Sequence, residues 1–494
     1  MKEIFMRASG ILLPMFSLPS KYGIGCMSKE AYHFIDILKE AGQKKWQLLP
    51  IGPTGYGDSP YQSFSTYAGN PYFIDLETLI SEGFLSKKEC EAFQFGEDDT
   101  RVDYGTIYHS RFRILRIAHK RFQETEAYHQ FLRDHGWWLD DFSLFMALKH
   151  KYDGASWHEW DVPHRMRFHD ALQQVGEELQ EEIRFTCWLQ FEFRRQWDRL
   201  HAYAKKQGID LIGDLPIYVA EDSADSWAQP RLFQFNEHNE AIAVAGCPPD
   251  YFSPTGQLWG NPLYSWEYHR ETNYDWWITR ISYTFTIFDI VRIDHFRGFD
   301  EYYSIPAGRD DATIGEWKKG PGMELFHTIK ARLGDLNIIA EDLGLLTDSV
   351  MQLLKDSGFP GMKVLQFAFD SKEENDYLPH TYERNSIVYT GTHDNDTTVG
   401  WFRKADKPTR KFMENYMGGT ITRHDVAWRF IRLAMSSVSN LCIVPMQDYL
   451  QLDGQARVNE PSTLGNNWQW RMQKSQVNRH LLKKIKYLTE ITGR

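Results

Sequence analysis

Three acidic residues stand at the ends of short apolar runs, and their types and placement fit one kind of chemistry. Asp294 closes Ile-Val-Arg-Ile-Asp (290–294), Glu341 closes Asn-Ile-Ile-Ala-Glu (337–341) and Asp394 closes Ile-Val-Tyr-Thr-Gly-Thr-His-Asp (387–394). Breaking a glycosidic bond takes two flanking carboxyl groups, one giving a proton and the other attacking or activating the attacker. Arg292 precedes Asp294 by two positions, and side chains two apart in a strand share a face. A permanently charged guanidinium there lowers a carboxyl pKa, so the spacing predicts an ionised Asp294. Glu341 follows Ile338, Ile339 and Ala340. Partial burial and a neighbouring carboxylate predict a raised pKa, suited to proton donation. Asp342 points the other way along the strand and is expected to be a structural hydrogen-bonding partner. Asp394 and His393 are placed to hold the hydroxyls beside a reacting sugar carbon. Any one of these could be an ordinary ion pair or polar turn; three strand ends of the same kind favour a functional reading.

The elements that must carry them are legible as eight apolar runs, at 11–17, 45–51, 210–217, 289–295, 337–342, 362–368, 386–392 and 441–447. Between several of them lie helical patterns: 31–41 ending at Gly42, 182–206 ending at Gly208, 325–333 and 349–355. Strand and helix in this alternation predict an α/β fold with a parallel sheet, here a (β/α)8 TIM barrel spanning 1–494. Such a barrel places its chemistry at the carboxyl ends of the strands. Two connections are too long for one crossover helix. Residues 75–180, with helical patterns at 109–123 and 137–151, read as an inserted, mostly helical subdomain. Residues 218–288, rich in Pro, Gly and aromatics, read as an active-face excursion between strands three and four, the usual place of a substrate loop.

Within that excursion, 247–262 carries Pro248, Pro249, Pro254 and Pro262 around Tyr251, Phe252 and Trp259. Prolines stiffen the backbone and the rings are placed for presentation, as in a lid over a sugar. Aromatics reach 15% of the chain, compatible with a carbohydrate groove as well as with a large core. A net charge of −11 argues against nucleic acid or an anionic membrane as partner. Five scattered cysteines without a C-x-x-C pair argue against a disulfide framework or a zinc site. The amino terminus lacks an apolar signal segment, so a cytoplasmic enzyme is expected. His158-Glu159 with His164 has the wrong spacing for H-E-x-x-H, and Gly23-Ile-Gly25 lacks the third glycine of a dinucleotide loop.

Three segments carry a resemblance. Val-Arg-Ile-Asp-His-Phe-Arg-Gly (291–298), Ile-Ile-Ala-Glu-Asp-Leu-Gly (338–344) and Thr-Gly-Thr-His-Asp-Asn-Asp (390–396) resemble the blocks of the α-amylase clan. Their specific forms, with 248–264, Gly-Asp-Ser-Pro-Tyr-Gln (57–62) and Asn-Trp-Gln-Trp-Arg (467–471), are similar to the 4-α-glucanotransferase (amylomaltase) family. The resemblance spans nearly the whole chain. It implies a retaining double displacement with Asp294 as nucleophile, Glu341 as acid/base and Asp394 as transition-state stabiliser. It implies sugar contacts from Arg292, His393, Asp214, Ser59, Tyr61, Trp259 and Asn459, and a flexible acceptor-side loop at Tyr251 and Phe252. The expected partners are α-1,4-glucans and glucose, with no cofactor, no calcium requirement, and a monomer or weak homodimer. One departure lies in Arg457-Val-Asn-Glu-Pro-Ser (457–462), where the family usually has Gly at the place of Ser462; a serine lacks that backbone freedom. Rival readings are an amylase-type hydrolase with the same carboxylates and a non-catalytic glucan binder on a decayed barrel. The lid at 247–262 weighs against the first, and retention of all three acids against the second.

Overall fold

Among the described residues twelve strands form, most of them from short buried runs: β1 (Ala8–Leu12), β2 (Lys45–Gln47), β3 (Asp210–Leu215), β4 (Ala243–Cys247), β5 (Gln257–Pro262), β6 (Ile290–Ile293), β7 (Glu301–Pro306), β8 (Glu316–Lys319), β9 (Ile338–Ala340), β10 (Gly361–Val364), β11 (Ser386–Tyr389) and β12 (Leu441–Pro445). They belong to a computed structural model that describes residues 7–55, 57–249, 253–344, 346–369, 375–463 and 465–494. Eight of the strands form one parallel sheet in the order β10-β11-β12-β1-β2-β3-β6-β9. Its two ends meet where Ala340 N donates to Pro360 O at 3.0 Å and Met362 N donates to Asp342 Oδ1 at 2.6 Å. The sheet thereby curls into a barrel whose last seam is held partly by a side chain. Gly361 makes room for it, since a Cβ there would lie 2.5 Å from an Asp342 carboxylate oxygen.

Alternation along the strands builds the site. Ile212, Ile290 and Ile339 belong to the buried cluster that fills the barrel, with Leu12, Met362, Val364, Ile387 and Tyr389. Two residues further along β3 and β6, and just past β9, the same face carries Asp214, Arg292 and Glu341. Register aligns them, because Ile212 pairs with Ile290, Asp214 with Arg292, and Arg292 with Ile339. An apolar layer thus supports a charged one at the carboxyl ends of the strands, the functional end of such a barrel.

All eight expected runs overlap a barrel strand, but the first is displaced. The chain pairs at 8–12, and 15–17 is a single 3₁₀ turn after Pro14. Proline has no N–H for a ladder, while Gly10 fits β1 against β2 where a Cβ would lie 2.5 Å from Lys45 O. The crossover helices form as the periodicity predicts, at Lys29–Glu40, Gln180–Gln207, Met323–Leu333 and Asp348–Ser357. Ser28 caps the first by accepting from Glu30 N, and Gly208 ends the second at φ 75°. Between β2 and the helix Gln180–Gln207 the longer elements are helical, chiefly Tyr104–His119 and Glu126–Lys151. The first joins the main core through Ile107, Ile114 and Leu115, whereas the second packs a separate core of Phe131, Trp138, Phe142 and Phe145 with Trp157 and Trp227.

A second, antiparallel sheet in the order β5-β4-β7-β8 lies outside the barrel. It draws β4 and β5 from the connection before β6 and β7 and β8 from the connection after it. The 218–288 segment is therefore half of a two-part sheet plus the crossover helix Asp275–Ile287 rather than a loop alone. Among the described residues no helix is long and apolar enough to cross a membrane.

Candidate active site

Arg292 is the hub. Its guanidinium is 2% exposed and reaches three carboxyl groups. Nη1 lies 2.6 Å from both oxygens of Asp214 and 3.2 Å from Asp294 Oδ1, and Nη2 lies 3.1 Å from Glu341 Oε2. Asp214 also accepts from the Tyr61 hydroxyl at 2.8 Å. Burial pushes the Tyr61 phenol well above its ordinary range, with the Asp214 charge adding to it, so Tyr61 remains a donor. Burial also lifts Asp214, against the pull of Arg292. Both of its oxygens accept hydrogen bonds, however, which an ionised carboxylate does and a protonated one cannot do fully.

The chain beyond each strand fixes the reacting pair. Asp294 N donates to Leu215 O at 3.0 Å, Glu341 N to Ile293 O at 3.1 Å and Phe296 N to Glu341 O at 3.1 Å. His295 adopts φ 50°, a left-handed conformation that aims its N–H at Glu341 Oε2, 2.6 Å away. Asp294 and Glu341 converge on the same guanidinium, one at Nη1 and the other at Nη2. Burial and the charge of Glu341 hold Asp294 well above its ordinary value of 3.8, outweighing Arg292. Burial also acts on Glu341, but Arg292 and the His295 N–H outweigh it and hold that carboxyl below 4.5. Burial and the neighbouring charge thus favour the protonated form of Asp294, while Arg292 and the His295 N–H favour the ionised form of Glu341. This reverses the expectation from spacing. The cation two residues before Asp294 is spent mainly on Asp214 in the adjacent strand, and Glu341 gains a backbone donor that no local pattern announces.

Across the mouth, Asp394 is 42% exposed at its side chain and open to a ligand. Asn459 Nδ2 donates to its Oδ1 at 2.7 Å, and His393 Nε2 lies 3.3 Å from the same oxygen. Asn459 N donates to His393 O at 3.1 Å, so the two segments are clamped together. Arg457 completes the clamp by donating to Asp394 O and Asn459 O, each at 2.7 Å. Ser462 stands at φ 63°, the conformation that favours glycine, yet Asn459 holds its place. The His393 ring stacks on Tyr61 at 5.2 Å and 12°. Tyr61 thus links Asp214 to the Asp394 side of the mouth.

Other expected contacts are placed less centrally. Trp259 on β5 meets the His295 ring edge-on at 4.8 Å, and its carbonyl accepts from Gln62 at 3.5 Å. Burial keeps His295 down to about 4, so that ring is neutral. Ser59 Oγ accepts from Tyr61 N at 3.3 Å and thereby orders the Tyr61 loop. Tyr251 and Phe252 lie outside the described residues. Asp342 forms the seam bond already described, and burial pushes it up to about 6. Arg457 and the backbone N–H of His295 were not anticipated; the first has a signal only in retrospect, as a lone arginine in a polar loop. No group of three or more His, Cys, Asp or Glu that could hold a metal occurs among the described residues.

Residues 13–477 match the family model described as 4-alpha-glucanotransferase. The chain belongs to the 4-alpha-glucanotransferase family. A curated family member from Clostridium butyricum is 47% identical over 97% of this chain and 99% of its own. Another from Thermus thermophilus is 45% identical over 99% of both chains. The solved amylomaltase from Streptococcus agalactiae, determined in complex with acarbose, superposes with a TM-score of 0.96 at 42% identity and 99% coverage of both chains. As a 4-alpha-glucanotransferase the enzyme transfers a segment of one α-1,4-glucan to another by a retaining double displacement.

Proposed function

We propose that Asp294 is the nucleophile of this transfer, Glu341 its general acid and base, and Asp394 the carboxylate that steadies the transition state. The observation that carries the assignment is the convergence of Asp294 and Glu341 on the Arg292 guanidinium. Retaining enzymes hold their two carboxyl groups about 5–5.5 Å apart, whereas inverting ones leave about 6.5–9.5 Å for a water. Carboxyl groups held by one guanidinium, Asp294 at 3.2 Å from Nη1 and Glu341 at 3.1 Å from Nη2, fit the first case. The reaction needs one proton on the pair, carried by Glu341 beside the glycosidic oxygen while Asp294 is ionised. Asp294 then attacks the anomeric carbon while Glu341 protonates the departing oxygen. The 4-hydroxyl of the acceptor, deprotonated by Glu341, attacks the same carbon and frees Asp294.

Asp394, with His393 and Asn459, holds the hydroxyls next to the flattening ring, and Arg292, Asp214 and Tyr61 hold the acidic pair. Trp259 with Ser59 lines the approach, and Tyr251 and Phe252 are assigned to the acceptor-side loop on family resemblance. The 247–262 lid favours a sugar acceptor over water by keeping the intermediate dry. We assign 75–180 and 218–288 as the inserted walls of the groove. Maltooligosaccharides, amylose, starch or glycogen serve as donors, and glucose as well as glucans as acceptors.

Incubation with maltotriose tests this. Transfer yields glucose together with longer oligosaccharides, and Asp294→Asn abolishes both. Glucose and maltose as the only products, or undiminished turnover by Asp294→Asn, would overturn it.

A further inference from the structure

Trp468 is 5% exposed and adopts φ 63°. A bulky side chain seldom occupies the left-handed region, and strain of this kind persists only where surrounding contacts over-determine it. Those contacts are present. Trp468 N donates to Val458 O at 2.7 Å, and Trp468 O accepts from the Tyr104 hydroxyl at 2.8 Å. On its C-terminal side Val102 N donates to Gln469 O at 2.8 Å and Arg471 N to Thr100 O at 2.8 Å. On its N-terminal side Asn467 Oδ1 accepts from Glu460 N at 3.0 Å, while Asn466 O accepts from Arg101 at 3.2 Å. The strap 457–471 is thus tied at one edge to the His393–Asp394 turn and at the other to residues 100–104.

What the strained backbone presents is the indole. Its centroid lies 5.9 Å from the Tyr61 ring and 6.1 Å from the His393 ring, at 44° and 36°. Tyr61 and His393 are the stacked pair that joins Asp214 to Asp394. With a relaxed φ the chain would turn the indole elsewhere and leave that pair unsupported.

We propose that Trp468 is a positioning residue for the transfer reaction: its left-handed backbone wedges the indole against Tyr61 and His393 and holds them in register with Asp214 and Asp394. It acts through those rings without touching the reacting atoms. The proposal rests on the roles assigned above to His393 and Asp394. A wedge of this kind matters most when contacts to the sugar tighten, so its loss lowers kcat and leaves KM nearly unchanged.

Trp468→Leu, Trp468→Phe and Trp470→Leu test it in the full-length enzyme with maltotriose. Trp470 is equally buried on the same strap, at 7% exposure, and makes no ring contact with Tyr61 or His393 among the described residues. Trp468→Leu is expected to lose about 10²-fold in kcat, as misplacement by about 1 Å does, with KM within threefold. Trp468→Phe recovers most of that loss by restoring an aromatic face. Trp470→Leu lowers the melting temperature comparably while keeping kcat. Equal loss of kcat in Trp468→Leu and Trp470→Leu, or none in Trp468→Leu, would reduce Trp468 to a structural residue. Full activity of Asp394→Asn would instead remove the reading beneath the proposal, so the two failures are separable.

Discussion

Replacing Arg292 by lysine keeps the charge of the hub and removes its fork. A lysine ammonium is a compact point charge, whereas the guanidinium presents separated donors in fixed geometry. Here those donors serve Asp214 at 2.6 Å, Asp294 at 3.2 Å and Glu341 at 3.1 Å. A lysine keeps the shortest partner, Asp214, and gives up the other two. Hydrogen bonds to charged groups contribute about 1.5–3 kcal/mol each, so the loss is about 3–6 kcal/mol. At about 1.4 kcal/mol per factor of ten, kcat/KM should fall by about 10²–10⁴-fold. The assay is initial glucose release from maltotriose, with a thermal melt alongside. Because the lost bonds also belong to the resting fold, the melting temperature should fall too, and turnover is compared well below the lowered midpoint. Activity of Arg292→Lys within threefold of the parent would refute a role for the fork and leave only one for the charge.

Three further outcomes follow from groups already described. Turnover needs one proton on the Asp294–Glu341 pair, so its pH profile should be a broad bell with an acid limb below 4.5 and an alkaline limb well above 3.8. The Asp214 charge helps to hold Asp294 up, so Asp214→Asn should draw the alkaline limb toward lower pH; a shift the other way contradicts the shared proton. Asp342 rises from 3.8 to about 6 on folding, so the folded chain binds more protons between those values and loses stability as pH rises through them. The cost above pH 6 is roughly 3 kcal/mol; Asp342→Asn, which keeps an acceptor for Met362, should flatten the decline in melting temperature between pH 4 and 7, and an unchanged decline counts against it. Ser462→Gly relieves a left-handed serine at about 1–2 kcal/mol and adds about 0.5–1 kcal/mol of chain entropy. The melting temperature should therefore rise slightly with kcat unchanged, and a fall shows the serine to be held by something other than backbone geometry.

The barrel was legible because its strands are buried on both faces and read as continuous apolar runs. The three acids were legible because each ends such a run. The second sheet was not. β8, Glu-Trp-Lys-Lys, has a single apolar residue and no buried one, and exists through its antiparallel pairing with β7, Tyr303 opposite Trp317. The direction in which burial and charge push Asp294 and Glu341 was also hidden. Sequence shows Arg292 two residues before Asp294 but not that Asp214 lies directly across from it in the neighbouring strand. Nor does sequence show a left-handed His295 turning its N–H toward Glu341. Arg457 and Trp468 act through backbone carbonyls and ring faces some 60–400 residues away in the chain, as with Asp394 at 63 and Tyr61.

The joint between β9 and β10 has a further meaning. Ala340 supplies one of its hydrogen bonds and Asp342 the other. Glu341, the residue proposed above to donate the proton, lies between them. The barrel's staple and its acid are therefore one short piece of chain. Loosening the staple leaves Glu341 held on its β6 side alone, so activity is expected to fall on warming ahead of the melting transition.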